Sequence, residues 1–275
     1  MEESTYTVIR SRKSALALNL TDFWKHRELL YFLVWKEVKI RYRQTVIGAG
    51  WAVLQPLLTT LVFTVIFGNF AHLPSDGIPY PLFIYSSMIL WTYFSTAVVT
   101  SSNSLLANSS IITKVNFPRI LLPFAACLVG LVDYVIALSI LFPLLIYFNA
   151  SISLAIFLIF IPLLMMFFLA SGLGFWLSAI NVKYRDVVFL VPFSVSLLMF
   201  ISPIIYPLSL IGPTYQSLVM LNPIASVIAT QRAILFGSAP MDPLYFASAL
   251  IFMAAVFLGG MVYFKRKERE FADVI

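Results

Sequence analysis

Charge is what this sequence has least of. Asp, Glu, Lys and Arg make up 11% of its 275 residues, while 61% are hydrophobic. Soluble domains carry about 25% charged residues, so a soluble globular chain is excluded. The mean hydropathy of +0.94 agrees. Cysteine occurs once, as Cys127 inside an apolar run, which rules out an intrachain disulfide and a Cys/His metal cluster. The two histidines, His26 and His72, lie outside the long apolar runs. No glycine precedes a lysine, so a G-x-x-x-x-G-K-[ST] phosphate loop is missing. H-E-x-x-H and G-x-S-x-G are missing too. Neither a catalytic set nor a metal site is expected. The formal charge of +6 does not imply nucleic acid, because in a membrane protein the position of cations matters more than their sum.

What is present is a series of long apolar runs. A helix needs ~20 apolar residues to cross ~30 Å of hydrocarbon, and several uncharged runs exceed that. Short alternating segments of a β-barrel are not seen. The expected fold is therefore all-α integral membrane. The first long run begins near residue 45, and no signal peptide is expected. Residues 1–21 read as a loose cytosolic tail, 22–265 as the transmembrane domain, and 266–275 as a second cytosolic tail.

The spans follow from charge and turn signals. The first is expected at 45–71, closed by HLPSDGIPYP. The second is expected at 82–100 and the third at 120–148, with a lone Asp133. Residues 134–182 carry no charge, a run of 49. One helix of that length would reach ~74 Å, so the run must turn, and Asn149-Ala150-Ser151 is the turn. That gives a fourth span at 152–180. The uncharged run 187–231 holds a fifth span at 187–209 and a shorter piece. A sixth is expected at 244–264, ahead of KRKERE.

Parity follows from the positive-inside rule. With six spans and both termini inside, 17 of the 18 Lys+Arg are cytosolic and Arg232 alone is outside. The remaining piece, about 213–237, is then an outer, broken, re-entrant helical hairpin. Such backbone is tolerated at membrane depth only against protein or water, which points to a gate. Asn222, Pro223 and Arg232 belong to it.

A basic run, VKIRYR, abuts the first span. It ends a helical prelude over 22–43 in which Tyr31, Val34, Trp35, Val38 and Tyr42 share a face. Lys25, Lys36, Lys39 and Arg43 gather beside that face. This is the pattern of an amphipathic helix lying in the membrane interface. A simple cytosolic anchor is the plainer reading of Lys39, Arg41 and Arg43.

Four stretches carry a resemblance. They are KIRYRQTVIGAGWAVLQPLL, with Gly48, Trp51 and Pro56; NSSIITKVNFPRILLP; SPIIYP at 202–207; and LNPIASVIATQRAILFG at 221–237. In this order the chain resembles ABC-2-type transporter permeases of the branch that exports O-antigen, capsule and teichoic-acid polymers. The resemblance covers about residues 22–265. It implies an exporter subunit, not an enzyme, in the bacterial inner membrane. It also implies a homodimer with two copies of a separate ABC ATPase, a lipid-linked glycan as cargo, and ATP with Mg on the partner only. A drug or small-lipid exporter of the same family and an ATP-independent carrier stand as alternatives. So does an integral-membrane transferase acting on a lipid-linked sugar.

The resemblance also gives segments roles. Leu105, Leu106, Ile111, Ile112 and Lys114 would form a coupling helix on the ATPase, with Lys183 and Arg185 as a second contact. An ordinary loop and a basic anchor are the plainer readings. Trp35, Lys39, Arg41, Tyr42 and Arg43 would form the interface helix. Sugars present C–H faces to aromatic rings, so Trp51, Trp91, Tyr93, Phe94, Phe193, Ser194, Phe200 and Tyr206 are candidate channel-lining residues. Interfacial belts and packing are the alternative. Arg41 and Arg43 would meet either the carrier's diphosphate or anionic lipid. Asp133 is expected to be functional, paired, or protonated within the bundle. It is grouped with Asn222, Pro223 and Arg232 as gate structure.

Overall fold

Proline and glycine divide the apolar runs into helices. The computed structural model describes residues 24–43, 47–150, 154–237, 242–268 and 270–271, and the regular elements among them are all helical. Helix α1 (Arg27–Arg43) carries Glu28 in its first turn and Arg41 and Arg43 in its last, the charge order that complements a helix dipole. Gly48 then turns the chain at φ +57°, a left-handed conformation open to glycine at little steric cost. Helix α2 (Gly50–Phe63) continues as a π-helical segment, Thr64–Phe70. Helix α3 (Tyr80–Ala107) returns with Pro81 in its first turn, where a missing N–H costs nothing. A short α4 (Ser109–Ile112) and a loop lead to α5 (Leu121–Tyr147). A 3₁₀ segment, Leu154–Ile159, opens into α6 (Phe160–Lys183), followed by α7 (Val187–Ile201).

The bent pair comes next. Helices α8 (Pro213–Met220) and α9 (Pro223–Phe236) meet at 96°. Asn222 makes the corner: its side chain accepts from the N–H of Ile224 at 3.0 Å, and Pro223 occupies the first helical position. Gly237 ends α9 at φ +62°. Asp242 caps α10 (Pro243–Lys267) in the same manner, through Leu244 N–H at 2.9 Å.

Among the described residues, five helices are long and apolar enough to cross a bilayer: Gly50–Phe70, Tyr80–Ala107, Leu121–Tyr147, Ala155–Lys183 and Pro243–Lys267. Counting the bent pair as one span gives six. The expected fifth span, 187–209, is not one helix. Helix α7 has 15 residues, ~22 Å at 1.5 Å each, short of ~30 Å. It stops where Ser202 turns extended, and Pro203 and Pro207 prevent its continuation. The final tail also starts later than expected. Helix α10 runs to Lys267, and Phe271 beyond it is 2% exposed against the bundle.

Helix α3 is the axis of the bundle. Its apolar window is 78% buried, against 11% for α2 and 17% for α10, which lie at the periphery. Serines at 86, 87, 101, 102 and 104 are buried along it, and small side chains let α5 and α6 approach closely. Helices α6 and α10 cross at Gly172, where an added Cβ would sit 2.7 Å from the Phe257 backbone. A second apolar cluster closes the end that bears Lys114 and Arg119. It joins Leu33 of α1, Leu105 of α3, Ile112 of α4, Leu121 of α5, Val182 of α6, and Phe264 and Phe271.

Candidate functional site

The last turn of α1 reaches Asp133 near the middle of α5. Arg41 Nη1 forms an ion pair with Asp133 Oδ2, and the Tyr42 hydroxyl donates to Oδ1. Burial, with Asp133 beside it, holds the Tyr42 hydroxyl above its ordinary range, so it stays a donor. The side chains of Arg41 and Asp133 keep 31% and 19% of their exposure. They are exposed to a cleft of about 240 Å³. Its floor is Tyr93 and Tyr134; its walls are Gln55 of α2 and Thr92 and Thr96 of α3; Trp51 stands among the lining residues, 49% exposed. Gly48 sets the elbow that brings α2 past this cleft. Gly130 lets the Tyr93 ring lie against α5, since a Cβ there would meet the ring at 3.1 Å.

A second polar site ties the bent pair to α3. Arg232 of α9 is buried, with its Cζ 3.5 Å over the Phe83 ring. Its Nη2 donates to Ser87 Oγ at 2.8 Å and to the Ile204 carbonyl at 2.9 Å. Gln231 donates to the Ser86 carbonyl, so two successive residues of α9 grip two successive serines of α3. Asn222 Nδ2 donates to Ser202 Oγ at 2.9 Å, and the Tyr80 hydroxyl to the Ile205 carbonyl at 2.8 Å. The non-helical segment after α7 is thus held from both sides.

A third site lies at the basic end. Lys36 of α1 donates to Asn108 Oδ1 at 3.3 Å, linking α1 to the segment after α3. Glu268 accepts the Arg119 N–H at 2.7 Å, and Arg119 Nη1 donates to the Glu268 carbonyl at 2.9 Å. Burial pushes the Glu268 carboxyl up from its ordinary range, against the pull of Arg119 and Lys265.

The sequence candidates divide by exposure. Leu105 and Ile112 are buried in the second cluster, Leu106 and Ile111 are half-buried, and Lys114 is exposed beside Val115. Lys183 and Arg185 are exposed at the end of α6. Trp91, Tyr93 and Phe94 face the chain's own core, because α3 is surrounded by neighbouring helices. Of the three only Tyr93 also borders the cleft. Phe193, Ser194 and Phe200 are exposed on α7, and Tyr206 is half-buried, its hydroxyl donating to the Ile201 carbonyl at 3.1 Å. Helix α1 packs through Leu29, Leu30, Leu33 and Val34. Of the face expected to lie in the membrane interface, Tyr31 and Trp35 are exposed, at 70% and 54%, and Val34 packs inward; Lys39 and Arg43 are exposed as well.

Several site residues carry little signal in the sequence. Thr92, Thr96 and Gln55 are ordinary polar residues within apolar runs. Ser86 and Ser87 had one available clue: adjacent hydroxyls in a span need partners, and Gln231-Arg232 is the one adjacent Gln-Arg pair in the chain. Glu268, amid KRKERE, reads as a solvated acid.

Apolar helices of membrane-spanning length, a polar elbow and a bent helical pair together make an integral-membrane domain. The ABC-2 type transporter family model matches residues 28–236, and the chain belongs to that family. It is 29% identical over 259 residues to an O-antigen export system permease protein, RfbA, of Myxococcus xanthus, covering 92% of this chain and 98% of that protein. It is 25% identical over 250 residues to an RfbA of Klebsiella pneumoniae, covering 90% and 95%. It is 26% identical over 239 residues to the polysialic acid transport protein KpsM of Escherichia coli, covering 85% and 91%.

Proposed function

We propose that the chain is the permease subunit of an ABC exporter that moves a lipid-linked polysaccharide across a bacterial inner membrane. The observation that carries this reading is the near full-length similarity to permeases named for O-antigen and polysialic acid. The polysaccharide class is common to those relatives, although the sugars they are named for differ.

In this reading ATP is hydrolysed on a separate subunit, in keeping with a sequence in which no glycine precedes a lysine. The end bearing Lys114, Lys183 and Arg185 is cytosolic, and its exposed side chains meet the ATPase. Helix α7 and the segment 202–212 form the fifth crossing, and α8–α9 re-enter from the outer side. Exposed apolar residues of α2 and α7, Leu61, Phe193 and Phe200 among them, face lipid or a second copy. The glycan passes between two copies, along the exposed ring faces of α7.

Two measurements test this. A tagged chain is purified from its native membrane and scored for a stoichiometric ATPase, and the gene is deleted and the surface glycan assayed. A co-purifying ATPase and glycan retained inside the cell are expected. Transport by the chain alone would favour a carrier and sink the proposal.

A further inference from the structure

We infer that the cleft beneath the elbow is a binding site for a single pyranose unit. The inference rests on the polysaccharide-export reading and adds to it a defined sugar site, separate from the ring-lined face of α7. It starts from size. At ~30 Å³ per water, about 240 Å³ takes about eight waters, or one six-membered sugar ring with its hydroxyls. It is below the ~300–1,000 Å³ of drug-sized pockets, and because the cleft is open on one side a longer glycan can place one ring in it.

The lining chemistry favours a neutral polyol. Asp133 and Arg41 neutralise each other. A phosphate would have to displace the carboxylate or accept it as a neighbour. A sugar hydroxyl has no such conflict. An ionised carboxylate offers about four lone-pair sites, and Arg41 and Tyr42 occupy two. Sugar hydroxyls donate to the remainder. Thr92 and Thr96 lie one helical turn apart on the same wall, spaced for successive hydroxyls of a ring. The hydroxyl of Tyr134, itself 2% exposed, has no hydrogen-bond partner although its residue lines the cleft. That hydroxyl is enclosed by the protein, so the cleft's polar contacts come from Asp133, Thr92 and Thr96. Trp51, half exposed, offers an indole face to the C–H side of the ring.

The position gives the site a consequence. Arg41 and Tyr42 end α1, whose other end joins the cluster at the basic end. A sugar bonded to Asp133 shares the acceptor that holds α1 against α5. Occupancy is therefore felt by the helix nearest the proposed ATPase contact.

The test uses the full chain with its ATPase in lipid nanodiscs. Methyl pyranosides of glucose, mannose, galactose, rhamnose and N-acetylglucosamine are titrated, with binding read by saturation-transfer NMR and tryptophan fluorescence. Saturable binding of at least one glycoside is expected. Thr96→Val keeps the shape and the ion pair, and it should weaken that glycoside about tenfold, as loss of a hydrogen-bonding group predicts. Asp133→Asn should do the same, Trp51→Phe should remove the fluorescence change, and Phe252→Ala, on the exposed side of α10, should change nothing. Three outcomes overturn the site: no glycoside saturates, Thr96→Val binds as tightly as the parent, or phosphoethanolamine displaces the sugar and marks a lipid headgroup site. Retention of glycan after gene deletion is scored separately. The site can therefore fail while the exporter reading stands, and the reverse is equally visible.

Discussion

The guanidinium of Arg232 and the hydroxyl of Ser87 meet at 2.8 Å, inside the protein and away from any ion-pair partner among the described residues. Taking an ion out of water costs several kcal/mol. The hydrogen bonds to Ser87 and Ile204 and the Phe83 ring offset that cost. Hydrogen bonds to charged groups contribute about 1.5–3 kcal/mol each, and a desolvated cation–π contact about 2. Lysine carries the charge but lacks the planar guanidinium that stands over the Phe83 ring. Arg232→Lys is expected to lower stability by about 2–4 kcal/mol, and Ser87→Ala by about 1–3. Thermal unfolding in detergent measures both. If Arg232→Lys matched the parent, the guanidinium plane would be irrelevant.

The elbow pair gives a second expectation. Arg41 and Asp133 are partly exposed, so the loss on breaking the pair should fall below the 3–5 kcal/mol of a fully buried one, at about 1–3. Arg41→Glu and Asp133→Arg should each destabilise. The double variant should recover part of the loss; since each single reversal sets like charges together, that recovery shows that the two positions interact rather than measuring the native pair. Additive losses would mean that the two side chains act independently.

Gly172→Ala should pry α6 from α10. The atoms met by the new Cβ belong to the Phe257 backbone and cannot rotate away. Overpacking of this kind costs about 1–3 kcal/mol. Gly212→Ala, where nothing lies within 4 Å, is the control; it should unfold with the parent.

Glu268 sets a pH dependence. Its folded-state pKa is raised from the ordinary 4.5, chiefly by burial. The folded protein therefore holds the proton more tightly than the unfolded chain. The stabilisation is complete below about 4.5 and is lost as pH rises through the raised value. Glu268→Gln should remove that slope while its amide oxygen still accepts from Arg119. Unfolding midpoints of the two proteins against pH should converge at the acid end and separate towards neutrality, the variant being the more stable. Parallel curves would exclude Glu268 as the source.

The basic end separates support from contact. Leu105→Ala should cost about 2–5 kcal/mol, as core truncations do, because Leu105 is fully buried. Lys114→Ala and Val115→Ala should leave the unfolding midpoint within about 0.5 kcal/mol and reduce stimulation of the partner ATPase. Full stimulation in both surface variants would remove this segment from the docking surface.

Much of the architecture was legible in the sequence because hydrocarbon thickness sets helix length. The runs ending at Ala71, Phe148 and Phe264 became helices close to their expected bounds. Asn149-Ala150-Ser151 was needed as a turn because one helix of 49 uncharged residues would overrun the bilayer; Asn149 does turn, at φ +51°, and Ser151 lies outside the described residues. That 187–209 is not one helix was not legible, because hydropathy does not register where Pro203 interrupts hydrogen bonding. The burial of the α3 aromatics was not legible because sequence gives a helix its residues and not its neighbours; Trp91 and Phe94 are apolar whether they face lipid or core. Arg41 and Asp133 were both singled out, yet their pairing was not, since 92 positions leave no local periodicity to connect them.

That separation has a consequence for biogenesis. A ribosome adds about 5–20 residues per second, so Arg41 precedes its partner by some 5–20 seconds of synthesis. Over that interval α1 has emerged without its acceptor, and α2 and α3 enter the bilayer without the clasp. The elbow closes only when the third long helix arrives, so α1, made before α2 and α3, is fixed in place after them.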